Sequence, residues 1–195
     1  MARPRSFDEN SILETAMAEY WRCSFETVTF RELSKITGLG LRSLTNTFGD
    51  KETFYIRVLE HYVSRMEENL PRLLSTGGAY ALVSLFAQIS AEHPADAPRQ
   101  NGCLIVNQIS EIHRHDNRLQ TVIDRYFACL DTNFNTALAA SGIISEVDDK
   151  VKLLITMLVG MQLVIRLNRN TCAAAGIDAH VTGLIDGWIK LDEQL

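Results

Sequence analysis

The sequence predicts an all-α chain, and three observations carry that prediction. Apolar residues recur at three- and four-residue spacing almost throughout. Nothing alternates apolar and polar residues long enough to make a strand. Helix start and stop residues punctuate the chain at short intervals. The 195 residues are 46% hydrophobic, enough for a core, and the length suits one large domain or two small ones. About nine helices are expected: a three-helix N-terminal unit over 1–50, then a bundle over 51–195, joined through a helix at 51–70.

Each element has its own warrant. Ile12, Leu13, Ala16, Met17, Tyr20 and Trp21 make a wide apolar stripe on the first helix. Thr29 and Glu32 stand in S/T-x-x-E spacing, which marks a capped helix start. Phe30, Leu33 and Ile36 follow as the stripe of that helix. Gly38 suits the left-handed backbone that ends a helix. Gly40 stands at the next helix start. Leu41, Leu44 and Phe48 form the stripe of a third helix, Gly49 ends it, and Asp50 caps a fourth. That long helix holds Phe54, Val58, Leu59, Tyr62 and Met66, and Pro71 with Gly77–Gly78 is expected to stop it. A fifth helix runs from about Tyr80 to Glu92, and the Pro-containing stretch 94–102 reads as a loop. Cys103 to Ile112 reads as a short helix and Leu119 to Ala140 as a long one stopped by Gly142. Two apolar helices close the chain.

The segment 29–52 carries the functional prediction. Two short helices joined by a tight turn are how a protein inserts a helix into the major groove of DNA. With Leu41, Leu44 and Phe48 turned inward, Arg42, Ser43, Thr45, Asn46 and Thr47 point outward. Arginine can donate a fork to guanine, and asparagine can pair with adenine. Hydroxyl side chains can meet base edges or phosphates. Lys51, at a helix start, suits a phosphate. Thr29 joins this candidate set, as do Arg3 and Arg5 in an N-terminal arm that could follow the backbone or enter the minor groove. The competing reading is a solvated polar face on an ordinary helix pair.

Residues 1–62 resemble the DNA-binding region of the TetR family of bacterial transcriptional regulators. The likeness rests on ARPRSFD, ILETAMAEYW, FETVTFRELSKITGL and LRSLTNTFGDKETFY. It is weaker in GCLIVNQISEI at Gly102–Ile112 and in Asp148–Leu167. The resemblance implies an all-helical dimer, with an N-terminal DNA-binding domain and a C-terminal domain that senses a ligand and dimerises. Three positions depart from the family pattern. Thr45 stands where the family usually has a phosphate-contacting tyrosine, Ser24 where it has glycine, and Val28 where it has threonine. Lost phosphate contacts lower sequence-independent affinity.

Charge gives mixed support. Residues 1–65 hold nine Lys/Arg and nine Asp/Glu; residues 66–195 hold ten and fifteen. The N-terminal unit is less acidic than the rest but not basic, and the acidic remainder points to a cationic or neutral ligand. The polar start MARPRSFDEN is not a secretory signal. The longest apolar run, near 151–167, is interrupted by Lys152 and Arg166, and a span takes roughly 20 apolar residues. A cytoplasmic protein is expected. Cys23, Cys103, Cys129 and Cys172 form no CxxC pair, so a zinc ribbon is disfavoured. Cys103 follows Gly102 at a helix start, where a thiol can become reactive, so a redox regulator is one alternative. Glu111, His113, His115 and Asp116 lack the convergence a metal site needs. With no GxSxG, P-loop or GxGxxG, no enzyme and no cofactor are expected.

Two further assignments concern the C-terminal part. Between Leu153 and Ile165 almost every residue is apolar, and such a helix must be covered on both sides. A homodimer is expected, using Leu154, Leu158, Met161 and Ile165 with Val181, Leu184, Ile185 and Trp188 of the last helix. A small-molecule effector is assigned to Tyr62, Phe86, Ile89, Asn107, Tyr126 and Met157, which mix apolar area with polar groups. The function expected is a repressor that binds a palindromic operator as a dimer and is released by a ligand. A helical adaptor that has lost DNA binding is the other alternative.

Overall fold

The computed structural model describes residues 7–91, 101–109, 117–168 and 175–194. Among them are nine α-helices and no strand: α1 Glu9–Arg22, α2 Phe30–Thr37, α3 Leu41–Phe48, α4 Lys51–Leu74, α5 Ala79–Ser90, α6 Leu104–Ile109, α7 Asn117–Ala139, α8 Val147–Asn168 and α9 Ile177–Asp192. The all-α class and the helix number follow the sequence.

The N-terminal helices start and stop where capping chemistry requires. Asp8 accepts from Asn10 N at the start of α1. Thr29 and Glu32 close a full capping box on α2. Asp50 accepts from Thr53 N at 2.8 Å and opens α4. Gly38 ends α2 at φ 70°, a conformation that costs a residue with a Cβ about 1–2 kcal/mol. Ser24 adopts no such conformation, so its turn does not require glycine.

α4 runs past Pro71 to Leu74, contrary to the expected stop. Pro71 lies in the last turn, so its missing N–H removes a single intrahelical bond. α4 is the spine. Its first half holds α1 and α3, and its length packs on α7. α7 packs on α8, α5 on α9, and the short α6 on α8 and α4.

One continuous core links both parts. Tyr20 and Tyr55 meet edge-on at 4.5 Å between ring centres, and Phe48 and Phe54 tilt together at 4.6 Å. Burial without a hydrogen-bond partner pushes the Tyr20 hydroxyl well above its usual range. Ion pairs brace the outside, Glu9 with Arg57 and Glu14 with Arg65, and Glu14 is also hydrogen-bonded to His61. At the far end, Asp192 of α9 accepts from Ser145 N and from Lys150 Nζ at 3.1 Å. Those bonds hold the Asp192 carboxyl down at about 2.

Trp21 ties the N-terminal unit to the bundle. Its indole N–H donates to Gly102 O at 2.8 Å, its ring meets Tyr62 edge-on at 5.3 Å, and Arg166 donates to its carbonyl. The close approach depends on Gly102. A Cβ there would sit 2.5 Å from Gln162 O, and its φ is 70°. No helix among the described residues is long and apolar enough to cross a membrane.

Candidate nucleic-acid interface and internal cavity

α3 is two turns long and has two unlike faces. Leu44 is fully buried and Phe48 is 2% exposed, and both pack into the core shared with α1 and α4. Arg57 lies 5.0 Å over the Phe48 ring and reaches back to Thr47 O, which fixes α3 from behind. On the other side Arg42, Ser43, Thr45 and Asn46 are exposed and Thr47 is half-buried. The polar row thus stands outward, bringing guanidinium, amide and hydroxyl groups together over about one helical turn. Thr45 donates its hydroxyl to Leu41 O, which leaves its oxygen to accept.

Two apolar residues lie elsewhere than the periodicity predicted. Leu41 is 45% exposed and Ile36 is 44% exposed. Leu41 shares an angle with Phe48, but it occupies the first turn of α3, where no element among the described residues covers it. Ile36 follows Phe30 by two steps of three residues. Each step drifts about 60° around an α-helix, so the stripe has rotated out of the core. Leu41 lies next to Arg42 at the start of the polar row, and an apolar side chain there suits a thymine methyl.

The anchoring residues are more constrained than the sequence implied. Thr29 accepts from Glu32 N and donates to Glu32 Oε2 at 2.7 Å, so its hydroxyl is committed to the cap. Those bonds keep Glu32 below the usual carboxylate range. A phosphate at this helix start must therefore use backbone N–H groups or displace Glu32. Lys51 Nζ sits 4.4 Å over the Phe25 ring, at the start of α4. Arg118 of α7 donates to Thr53 Oγ1 in the same neighbourhood, a bundle residue beside the N-terminal unit that sequence reading missed. Arg3 and Arg5 lie outside the described residues, as do Glu111, His113, His115, Asp116 and Cys172.

Behind the N-terminal unit is a cavity of about 680 Å³. Three of the expected ligand residues line it: Tyr62, Ile89 and Tyr126. The other three do not. Phe86 is fully buried in the core, and Met157 faces away from the cavity-lining Leu158. Asn107 Nδ2 is spent on Asn101 O at 2.7 Å. The wall also includes Trp21, Leu130, Arg65 and Arg72, none of which the sequence assigned to a ligand. α1 and α4 both contribute, and α4 is one of the helices that hold α3. Deep inside, Cys103 Sγ stands 3.3 Å from Tyr62 Oη and 3.4 Å from Tyr126 Oη. Burial beside this thiol raises both hydroxyls well above their usual range. Cys23, Cys103 and Cys129 are free thiols, and no metal-binding cluster occurs among the described residues.

The expected dimer residues need the largest correction. Leu154 and Ile165 are fully buried, and Leu158 and Met161 are 3% exposed, all within the chain's own core. Val181 and Ile185 are likewise buried. These side chains have no surface left for a partner. Leu184 and Trp188 keep part of theirs. The open side of α8 is the opposite one, where Leu153, Leu163 and Leu167 are exposed on either side of Gly160. On α9, Gly183 has open space around it, as does Gly187.

No family model matches the chain. It is 23% identical over 135 residues to the uncharacterised helix–turn–helix transcriptional regulator YezE of Bacillus subtilis, covering 69% of this chain and 70% of that one. It is 23% identical over 137 residues to the helix–turn–helix transcriptional repressor BdcR of Escherichia coli, covering 70% and 68%. Among solved structures, a TetR regulator from Legionella pneumophila superposes with a TM-score of 0.77 at 16% identity, over 93% of this chain and 99% of that one. The TetR-family regulator CifR, solved as a cysteine mutant with a 26-base-pair operator DNA, superposes at 0.71 and 17% identity, over 97% and 98%. Many further structural neighbours are TetR-family transcriptional regulators. The chain has the fold of that family: a helix–turn–helix unit followed by a helical C-terminal bundle.

Proposed function

We propose that this chain is a cytoplasmic DNA-binding transcriptional regulator, a repressor that binds a palindromic operator as a homodimer and releases it when a small molecule enters the cavity. The observation that carries the reading is the outward polar row of α3, held by a buried apolar back. DNA recognition needs this arrangement, with donors and acceptors on a rigid, exposed helix. The relatives named as helix–turn–helix regulators support DNA-binding regulation.

The functional division falls near residue 50, and α4 crosses it. A ligand against Trp21 and Tyr62 meets α1 and α4 directly; α4 packs on α3, and α1 reaches it through α2 and α4. It need only favour one spacing of the two recognition helices; such couplings are typically ~1–3 kcal/mol. The dimer uses the open face of α8 with α9, where Gly160, Gly183 and Gly187 allow close helix approach. Two half-sites one helical turn apart then face two copies of α3.

A second reading rests on the Tyr62–Cys103–Tyr126 contacts: a buried thiol on the cavity wall, between two tyrosine hydroxyls. Blocking the thiol with iodoacetamide separates the two. Retained ligand release by the C103S variant excludes the thiol reading.

Titrating the purified chain against its own upstream DNA in varied salt tests the main reading. The expected result is saturable binding of two chains per site, weakening steeply as salt rises. Absence of binding at every salt concentration contradicts the regulator and favours an adaptor.

A further inference from the structure

The wall of the cavity assigns its ligand a charge. Two arginines, Arg65 and Arg72, reach it, together with Asn69 and Gln88, and no carboxylate lines it among the described residues. Arg65 is already neutralised by Glu14 at 2.6 Å. Arg72 makes no ion pair among the described residues and sits exposed at the rim. The interior is different: Trp21, Leu130 and Leu158 give an apolar surface, and Tyr126 and Cys103 occupy its deep end. The polar end thus carries one uncompensated positive charge, and the rest suits hydrocarbon. Guanidinium is the side chain best shaped to hold a carboxylate, through two parallel N–H···O bonds.

We infer that the cavity takes an acidic amphiphile, an aliphatic or aromatic carboxylate whose acid group meets Arg72 and whose apolar body lies against Trp21 and Leu158. The volume is within the ~300–1,000 Å³ span of small-molecule sites. The inference rests on the sensing role of the cavity proposed above. It reverses the cationic or neutral ligand suggested by the overall acidic balance, because the groups that touch a ligand decide its charge, not the sum over the bundle. A rim charge is partly screened by water, so its effect is a preference among ligands of similar shape rather than the whole affinity.

The test compares decanoate, decanol and decyltrimethylammonium, each titrated into the full chain by calorimetry. A W188F background lets Trp21 fluorescence report occupancy of the cavity. The expected order is decanoate, then decanol at least about ten-fold weaker, then the ammonium compound weakest. R72Q removes the preference for decanoate over decanol, decanoate losing at least about ten-fold more affinity than decanol does; an exposed rim residue can be exchanged without disturbing the core. Equal or tighter binding of the ammonium compound or decanol overturns the inference alone. So does a decanoate preference that survives R72Q. Failure of all three to bind overturns both the inference and the sensing role.

Discussion

Helices α3 and α8 solve opposite problems with the same two-faced design. Both bury one side: Leu44 and Phe48 in α3, Leu154 and Ile165 in α8. Their outer sides differ. α3 presents Arg42, Ser43, Thr45 and Asn46, solvated groups whose donors and acceptors match those of base edges. α8 presents Leu153, Leu163 and Leu167 around Gly160, a surface that gains only by leaving water. The first suits reversible, salt-sensitive association with a polyanion, the second a lasting contact with another apolar face. The comparison teaches that a helix declares its partner on the face its own core does not use.

The comparison breaks most sharply at Leu44. L44A removes a fully buried side chain and is expected to cost ~2–5 kcal/mol of stability by chemical denaturation. L41A, on the same helix but exposed, should stay within about 0.5 kcal/mol. An equal loss for both would mean that Leu41 is packed. Next is α8: L163E places a charge on the open apolar face. The dissociation constant of the proposed dimer should rise at least ~100-fold, about 3 kcal/mol, by sedimentation. Unchanged association would move the interface elsewhere.

The Lys150–Asp192 clamp at the end of α9 comes next. Its carboxyl, held at about 2 in the folded chain, ordinarily titrates near 3.9 unfolded. A depressed carboxyl stabilises above its unfolded value, and the contribution disappears as pH falls from about 4 to about 2. D192N should therefore lower the melting temperature by a few degrees at pH 7 and converge on the parent chain near pH 2. A gap that persists at low pH would point to packing instead. Smallest is K51A, expected to weaken binding to all DNA sequences alike and to reduce the salt slope by about 1. A sequence-selective loss would show Lys51 reading bases.

How legible each region was follows from the same contrast. In α2 to α4 the caps at Thr29, Asp50 and Gly38 could be read directly, because capping is local chemistry. The outward row of α3 was legible because its two sides differ in polarity. Ile36 and Leu41 were misassigned, since periodicity gives an angle around a helix but not whether anything lies opposite. α8 is apolar on both sides, so the sequence could not say which side is inside, and Leu154 and Leu158 were taken for the outer one. The cavity was least legible. Trp21 and Arg72 are far apart in sequence and line one cavity only because α1 and α4 pack together. Tyr62 and Tyr126 were found as large amphipathic residues at core spacing, and Phe86, by the same logic, is plain core.

The central claim is that the outward side of α3 reads bases. A selected operator, re-synthesised with 7-deazaguanine at each guanine in turn, tests it most directly, because the substitution removes only the N7 acceptor. At one guanine per half-site the parent chain should lose about 1–3 kcal/mol of affinity, and R42A should lose nothing further there. If R42A binds the unmodified operator as tightly as the parent chain does, the account of α3 is wrong.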